Sequence, residues 1–357
     1  MNDFSGKSLC SILYFSVFWG MSLFIPAIAH ASCGSASCFI TIGGQQSTQP
    51  KGLVRVDLSY SYIPQKGNAG NRVASEEDEG KRQILDEHRE FQTITQRAQL
   101  RINYGLTDRL TAQLRIPVLA RSHDHNIEVG DLGGGQGIFE NFDASGLGDI
   151  EAMGKYAFLP TLRSLFVVGA GMQFPTGNSN ARDITGKIQE PTLQIGRGAF
   201  GVVGQIYSSY ELIPHTLNPF FLYTYRHTFA NRFGYQFGDM HMVSGGLNYN
   251  VTPKITLSSQ VNWRLLVHNE FKSDLEQAGP ATASNEPTIL DSRIKRRPVA
   301  NTGSTALFFT PGFLLHLTDN STWYFFIQIP LVRDFNGGLE QSTTYLTGFQ
   351  HTFSLEG

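Results

Sequence analysis

Charge is scarce in this chain. Of its 357 residues only 16% are Asp, Glu, Lys or Arg, against roughly a quarter in ordinary soluble domains. The 28 basic and 30 acidic residues nearly cancel, to a net charge of -2, which excludes a globally basic nucleic-acid binder and an acidic disordered tail. Long apolar runs are also missing: beyond residue 31 no stretch approaches the ~18 residues of a membrane-spanning helix, and a negative mean hydropathy excludes a polytopic helical membrane protein. Cysteine is nearly absent, at three residues in all. In place of charge stand 37 Gly, 26 Phe and 13 Tyr, with many Thr, Ser, Asn and Gln. A hydrophobic fraction of 41% is too high for disorder. These limits leave a large globular domain, or a membrane barrel whose polar and apolar residues cancel in the average.

The amino terminus carries Lys7, an apolar core from Ile12 to Ile28, and Ala29-His30-Ala31 before Ser32. That is the layout of a secretory signal peptide over residues 1–31, with small residues at the cleavage site. A permanent anchor and a lipidated Cys33 are the alternatives; Pro26 argues against the first, and His30, where an aliphatic residue is wanted, against the second. Residues 32–52 form a periplasmic leader with Phe39, Ile40 and Ile42, read either as a plug for the periplasmic mouth or as a disordered segment. Cys33 and Cys38 are then the mature cysteines, and an even count in an exported protein favours one disulfide. Closing so short a loop contributes about 2 kcal/mol and pins a local turn only.

From residue 53 onward the periodicity is two. In "LVRVDLSYSYI" (53–63) Val54, Val56, Leu58, Tyr60 and Tyr62 alternate with Arg55, Asp57, Ser59 and Ser61. The same split recurs at 93–104, 110–118, 149–158, 255–265 and, less cleanly, 345–353. Each run has roughly the ~10 residues a tilted strand needs to cross a bilayer. Short turns near 105–109, 159–164, 212–217, 250–254 and 318–321 alternate with longer polar loops near 64–90, 119–145, 176–195, 227–238, 266–302 and 333–343. That order is the asymmetry of an outer-membrane barrel, with short periplasmic turns and long external loops. A secreted β-sandwich also alternates but predicts no short-long order. The expected fold is all-β: a closed antiparallel transmembrane β-barrel of about twelve strands over residues 53–357, both termini periplasmic.

Proline supports the strand ends. Ile63-Pro64, Ile116-Pro117, Phe174-Pro175 and Ile329-Pro330 are read as outward strands giving way to external loops, since proline cannot donate to the ladder. Pro311 falls inside a strand, and a bulge is expected there, helped by Gly312. Tyr60, Tyr62, Tyr104, Tyr156, Phe158 and Trp263 sit near the ends of apolar faces, where aromatic girdles lie.

Function must lie on the polar face. Arg at the lipid midplane costs about 2–4 kcal/mol, so Arg55, Arg97, Arg101, Arg115 and Arg264 are expected to point into the lumen. Asp57, Gln99, Gln113, Glu151, Lys155, Gln260 and Asn262 share that face, as does Asn103. Pairing across the "GLTDR" turn sets Gln99 near Arg115 and Arg101 near Gln113, giving a cationic strip. The strip reads equally as an ion-pair network that stiffens the barrel and as a constriction whose field selects solutes.

Other motifs are weak. His123 and His125 could ligate a metal, but they belong to a Gly-rich stretch without a third ligand, so a solvated loop is favoured. "GDLGGGQG" (130–137) lacks the Lys-Ser/Thr of a phosphate loop. "SRIKRRP" (292–298) could meet lipopolysaccharide phosphates, and both it and "EEDEGKR" (76–82) read as charged loops. His241 and Ser244 suggest an enzyme barrel of lipase or protease type, yet opposite parity puts them on opposite faces and no GxSxG element exists. No catalytic residue and no cofactor are assigned.

Several blocks also carry a family resemblance: "YGLTDRL" (104–110), "SGLGDIEAMGKYAF" (145–158), "FPTG" (174–177), "YQFGD" (235–239), "GLNYNVTPKITLSSQVNW" (246–263), "NTGSTALFFTPG" (301–312), "LTDN" (317–320) and "QIPL" (328–331). In this order they resemble the outer-membrane transporter family associated with the meta-cleavage pathway of phenol degradation, over roughly residue 50 to the end. The resemblance implies an outer-membrane channel or transporter for small organic solutes, aromatic compounds among them. It brings no binding residues. The expected protein is a monomer that passes such solutes passively, with outer-membrane lipid, lipopolysaccharide and the barrel-assembly machinery as its other partners. The chain departs from the pattern at its end, where His351 replaces an expected aromatic and "SLEG" follows Phe353. The alternatives are a non-conducting structural or partner-binding barrel and the enzyme barrel.

Overall fold

The computed structural model describes residues 46–67, 88–128, 137–158, 160–182, 188–271, 302–335 and 339–355. The signal-like segment, Cys33 and Cys38, the loop stretches at 76–82 and 292–298, most of 130–137 and the side chain of His125 lie outside them. The strands are β1 (Leu53–Gly67), β2 (His88–Gly105), β3 (Leu110–Glu128), β4 (Gly137–Leu147), β5 (Ile150–Phe158), β6 (Ser164–Phe174), β7 (Gly201–Tyr210) and β8 (Leu217–Thr228). They continue as β9 (Tyr235–Gln236), β10 (Met240–Thr252), β11 (Ile255–Leu266), β12 (Glu270–Phe271), β13 (Ser304–Thr318), β14 (Ser321–Phe335), β15 (Leu339–Gln341) and β16 (Thr344–Ser354).

Every strand of the main sheet is antiparallel to its neighbours, and β1 pairs with both β2 and β16, which closes the circuit. β4 extends the line of β5 along β3, and β15 that of β16 along β1, so the wall is a closed twelve-stranded barrel. Closure leaves no open edge in hydrocarbon, where each unpaired backbone group would cost several kcal/mol. The small β9–β12 pair stands apart from the wall.

Alternation decides what each face holds. Along β1, Asp57, Ser59 and Ser61 are buried inside while Leu58 and Tyr60 stand exposed outside. Large apolar side chains on the outer face, such as Val118, Phe166, Met172, Ile206, Phe221 and Leu257, are likewise exposed. For a soluble protein so much outward apolar surface would be a liability; around a barrel it is the surface lipid covers. The turns fall where spacing places them, and Thr107 closes one by accepting from the backbone N–H of Leu110 at 2.9 Å.

Three of the four Ile/Phe-Pro marks do not end strands. β1 continues through Pro64 and β3 through Pro117, and at each the partner changes, from β16 to β15 and from β5 to β4. The carbonyls stay in use, since Ser342 N–H donates to Pro64 and Gly148 N–H to Pro117. Proline's missing donor thus marks a handover between partners as well as a stop, and the stretch 119–145 contains long strand extensions that sequence reading takes for a loop. Pro330 lies inside β14, beside the register shift opposite Leu307 and Phe308. That shift, on the neighbouring strand, replaces the bulge expected at Pro311. Pro311 itself stays in register with Ser259. Gly312 serves another purpose: a Cβ there would lie 2.1 Å from the Phe326 ring, so the glycine makes room for that ring inside the barrel.

Candidate functional site: the barrel interior

All twelve residues expected on the inner face have the inward parity. One row runs in register across neighbouring strands as Asp57, Arg101, Arg115, Glu151 and Gln173. Arg101 therefore stands opposite Arg115, and Asn103 opposite Gln113. The expected pairing of Gln99 with Arg115 and Arg101 with Gln113 is off by two residues: the ladder closes at Gly105 and Thr111, leaving a wider turn. An even shift keeps every side chain on its face. It changes the neighbours, though, and sets two guanidinium groups side by side, an arrangement that needs compensation.

Glu151 supplies it. Its carboxylate is 3.0 Å from Arg115 Nη1 and 2.6 Å from Arg226 Nη2, and it is almost fully buried. Arg226 also donates to Gln173 Oε1. Asp57, directly opposite Arg101, accepts a hydrogen bond from Tyr324 Oη at 2.7 Å. Arg55 donates through Nε to Thr352 Oγ1 at 3.2 Å. Lys155 is fully buried two inward positions from Glu151. Arg226 is the member that sequence reading missed; aromatic residues on both sides of "FFLYTYRHT" hide its alternation. The inward ionic residues of this arc and of the loops that join it include Arg55, Arg97, Arg101, Arg115, Arg121, Lys155, Arg197 and Arg226 against Asp57, Asp149 and Glu151.

The opposite arc is different. Gln260, Asn262 and Arg264 face inward from β11 and are buried. Asn262 donates to Thr310 Oγ1 at 2.8 Å, and Arg264 donates to Gln341 Oε1 at 3.1 Å while lying over the rings of Phe308 and Phe335. Beside them Ile63, Leu314, Tyr324, Phe326 and Leu346 pack as one buried cluster. Tyr324, reaching Asp57, joins the aromatic arc to the ionic one.

Two segments narrow the interior from its ends. Between β6 and β7, residues 176–182 and 188–199 are described, with Ile188, Leu193 and Ile195 buried. Arg121, on the inner face of β3, donates to the carbonyls of Thr192 and Gln194 at 2.6 and 3.0 Å. Asp149 ties both ends of this segment, accepting from the N–H of Gly177 at 3.0 Å and of Arg197 at 2.9 Å. Burial pushes the Asp149 carboxyl above the usual carboxylate range, and those amides pull against the shift. Burial likewise lowers the Arg197 guanidinium to about 10, with Arg226 acting in the same direction. At the other end, Gln49 N–H donates to Thr111 Oγ1 at 2.7 Å, and Gln46 Oε1 accepts from Gln205 at 2.9 Å. Gln205 is an inward residue of β7, so the chain before β1 turns into the barrel.

The remaining candidates separate. His123 is no loop residue: it lies buried on the inner face of β3, Nδ1 2.7 Å from Thr93 Oγ1. Among the described residues no group of three His, Cys, Asp or Glu could hold a metal. His241 bonds Tyr223 Oη on the outer face at 2.9 Å, whereas Ser244 is buried inside.

No family model and no curated protein matches the sequence. Among solved structures the chain is similar to the COG4313 outer membrane channel from Pseudomonas putida F1, at 16% identity and a TM-score of 0.58, covering 88% of this chain and 100% of that one. Weaker likenesses include the CymD monoaromatic hydrocarbon channel (9% identity, TM-score 0.40, 87% and 90% covered) and the beta domain of the Bordetella autotransporter BrkA (7%, 0.45, 85% and 100%). The class the fold defines is the twelve-stranded outer-membrane-type β-barrel.

Proposed function

We propose that this chain is an outer-membrane channel for passive uptake of small organic solutes, aromatic compounds among them. The observation that carries the reading is a closed barrel with an apolar outer face and a polar inner row continuous over five neighbouring strands, from Asp57 to Gln173. Such a wall insulates a hydrophilic path from lipid. Export through a cleaved segment of residues 1–31, delivery by the barrel-assembly machinery and contact with lipopolysaccharide belong to the same reading, as does the family resemblance. Residues 32–50 are the plug, supported by the inward course of Gln46 to Gln49.

Liposome swelling with sugars, amino acids, phenol and benzoate tests this: uptake of at least one class is expected, and impermeability to all overturns it. Deleting residues 32–50 should raise conductance, and an unchanged conductance removes the plug. The burial of Glu151 and Lys155 favours a second reading, a non-conducting barrel stiffened by its own ion pairs. Arg101→Ala and Arg115→Ala separate the two, since a structural network loses stability without changing ion selectivity.

A further inference from the structure

The chain between β6 and β7 is built as a unit that can turn about one end and is fastened at the other. Its two limbs meet at a neck. There Gly196 N–H donates to the carbonyl of Asn178 at 2.8 Å, and the backbones of Gly177 and Gly196 touch, leaving no room for a Cβ on either residue. Beyond the neck the unit satisfies its own polar groups. Gln194 Oε1 accepts from Ala181 N–H at 2.8 Å, and its Nε2 donates to the carbonyls of Ala181 and Gln189 at 3.0 and 2.8 Å. Leu193 N–H donates to the carbonyl of Glu190 at 3.0 Å. On the wall side of the neck the chain enters β7 through Gly198, whose φ of 66° lies in the left-handed region that favours glycine. The unit can therefore move whole, with the backbone change taken up at Gly198.

The far end hangs on one side chain. Among the described residues, the hydrogen bonds that reach 188–195 from the strand wall come from Arg121, to the carbonyls of Thr192 and Gln194. Thr95 Oγ1 accepts from Arg121 Nε at 3.2 Å and so aims the guanidinium. The underside is loosely packed: Ile188, Gln189 and Pro191 border a small void with Asn231 and Phe233, and Gln189 Nε2 is buried without a protein partner. Lifting the unit into water removes the cost of that unpaired donor. Its roots are on β6 and β7 and its latch is on β3, so it passes the top of β5, which carries Glu151. Asp149 joins root to row, since it also accepts from Gln173 Nε2 at 2.8 Å, and Gln173 accepts from Arg226. Resting on the channel reading above, we infer that residues 188–197 form a tongue that gates the external mouth over the ionic row, with Gly198 as its hinge and Arg121 as its latch. Arg121 is a positioning residue here, holding the tongue down across the path.

The test places one thiol beside the latch. Leu193→Cys is made in the full mature chain with Cys33 and Cys38 changed to Ser, so that it is the sole thiol after residue 31. Folding in detergent is checked by heat-modifiable gel mobility. A polar maleimide should label this thiol slowly while Arg121 is present. Arg121→Ala should speed labelling about tenfold or more, the scale set by losing hydrogen bonds from a charged donor. Arg121→Lys, which can still donate to a carbonyl, should keep labelling slow. In planar bilayers Arg121→Ala should raise conductance. Labelling that Arg121→Ala leaves unchanged overturns the tongue, as does equal acceleration by Arg121→Lys. Faster labelling with conductance equal to wild type overturns the gate. Faster labelling with no conductance in either protein supports the latch and hinge while overturning the channel reading. If the variants fail to fold, hydrogen exchange of the wild type decides: amides of 188–197 that exchange together and faster than those of β6 and β7 support the tongue, and protection equal to the strands overturns it.

Discussion

The two arcs of the inner wall solve one problem by different means. From β1 to β8 the interior holds ion pairs, with Glu151 between Arg115 and Arg226 and Asp57 opposite Arg101, beside an apolar cluster of Ala157, Val167, Tyr207, Phe220 and Leu222. From β10 to β16 it is filled by amides, hydroxyls and rings, with Tyr324 and Phe326 wholly buried. Both arcs arise from the same two-residue alternation, which decides only that a side chain points inward. The ionic arc is sensitive to the loss of one partner, because a buried charge left alone is costly. The aromatic arc is sensitive to shape, because its rings occupy space that glycines vacate.

Glu151→Gln should break the ionic arc most severely. It leaves two buried guanidinium groups without their carboxylate, so a loss of about 3–5 kcal/mol is expected, read as a lower urea midpoint of the refolded barrel. Leu58→Arg tests the opposite face one residue from Asp57: an arginine in lipid costs about 2–4 kcal/mol, measurable as reduced folding into bilayers, whereas a wild-type yield would mean that the face meets water. Tyr324→Phe cuts the seam between the arcs by removing the hydrogen bond to Asp57. About 1.5–3 kcal/mol is expected for a bond to a charged acceptor, checked in a double-mutant cycle with Asp57→Asn. Gly312→Ala sharpens the packing side: its Cβ would overlap the Phe326 ring, at a cost of about 1–3 kcal/mol. Phe326→Leu in the same chain should recover part of that loss in the same unfolding measurement.

Much of this fold is legible in the sequence. Strand alternation, the order of short and long connections and the inward set from Arg55 to Arg264 need only local rules. The less legible features are those where two signals coincide. Proline at 64 and 117 stands for a change of partner as readily as for a strand end, and nothing in "IPQ" or "IPV" distinguishes them. Arg226 hides in a segment that is aromatic on both faces. His123 looks like a loop residue because the strand extends past the wall. The inward course of residues 188–199 depends on Asp149 and Arg121, which are distant from it in sequence.

What the sequence by itself determined is which residues face lipid and which face the interior, because strand parity survives any even shift of register. Only the tertiary structure decided which inward residues touch. A turn closing at Gly105 and Thr111 moves Arg115 from Gln99 to Arg101, and curvature brings Arg226 from β8 to Glu151 on β5. Those contacts depend on closing the sheet into a barrel, and closure is a property of all twelve strands together.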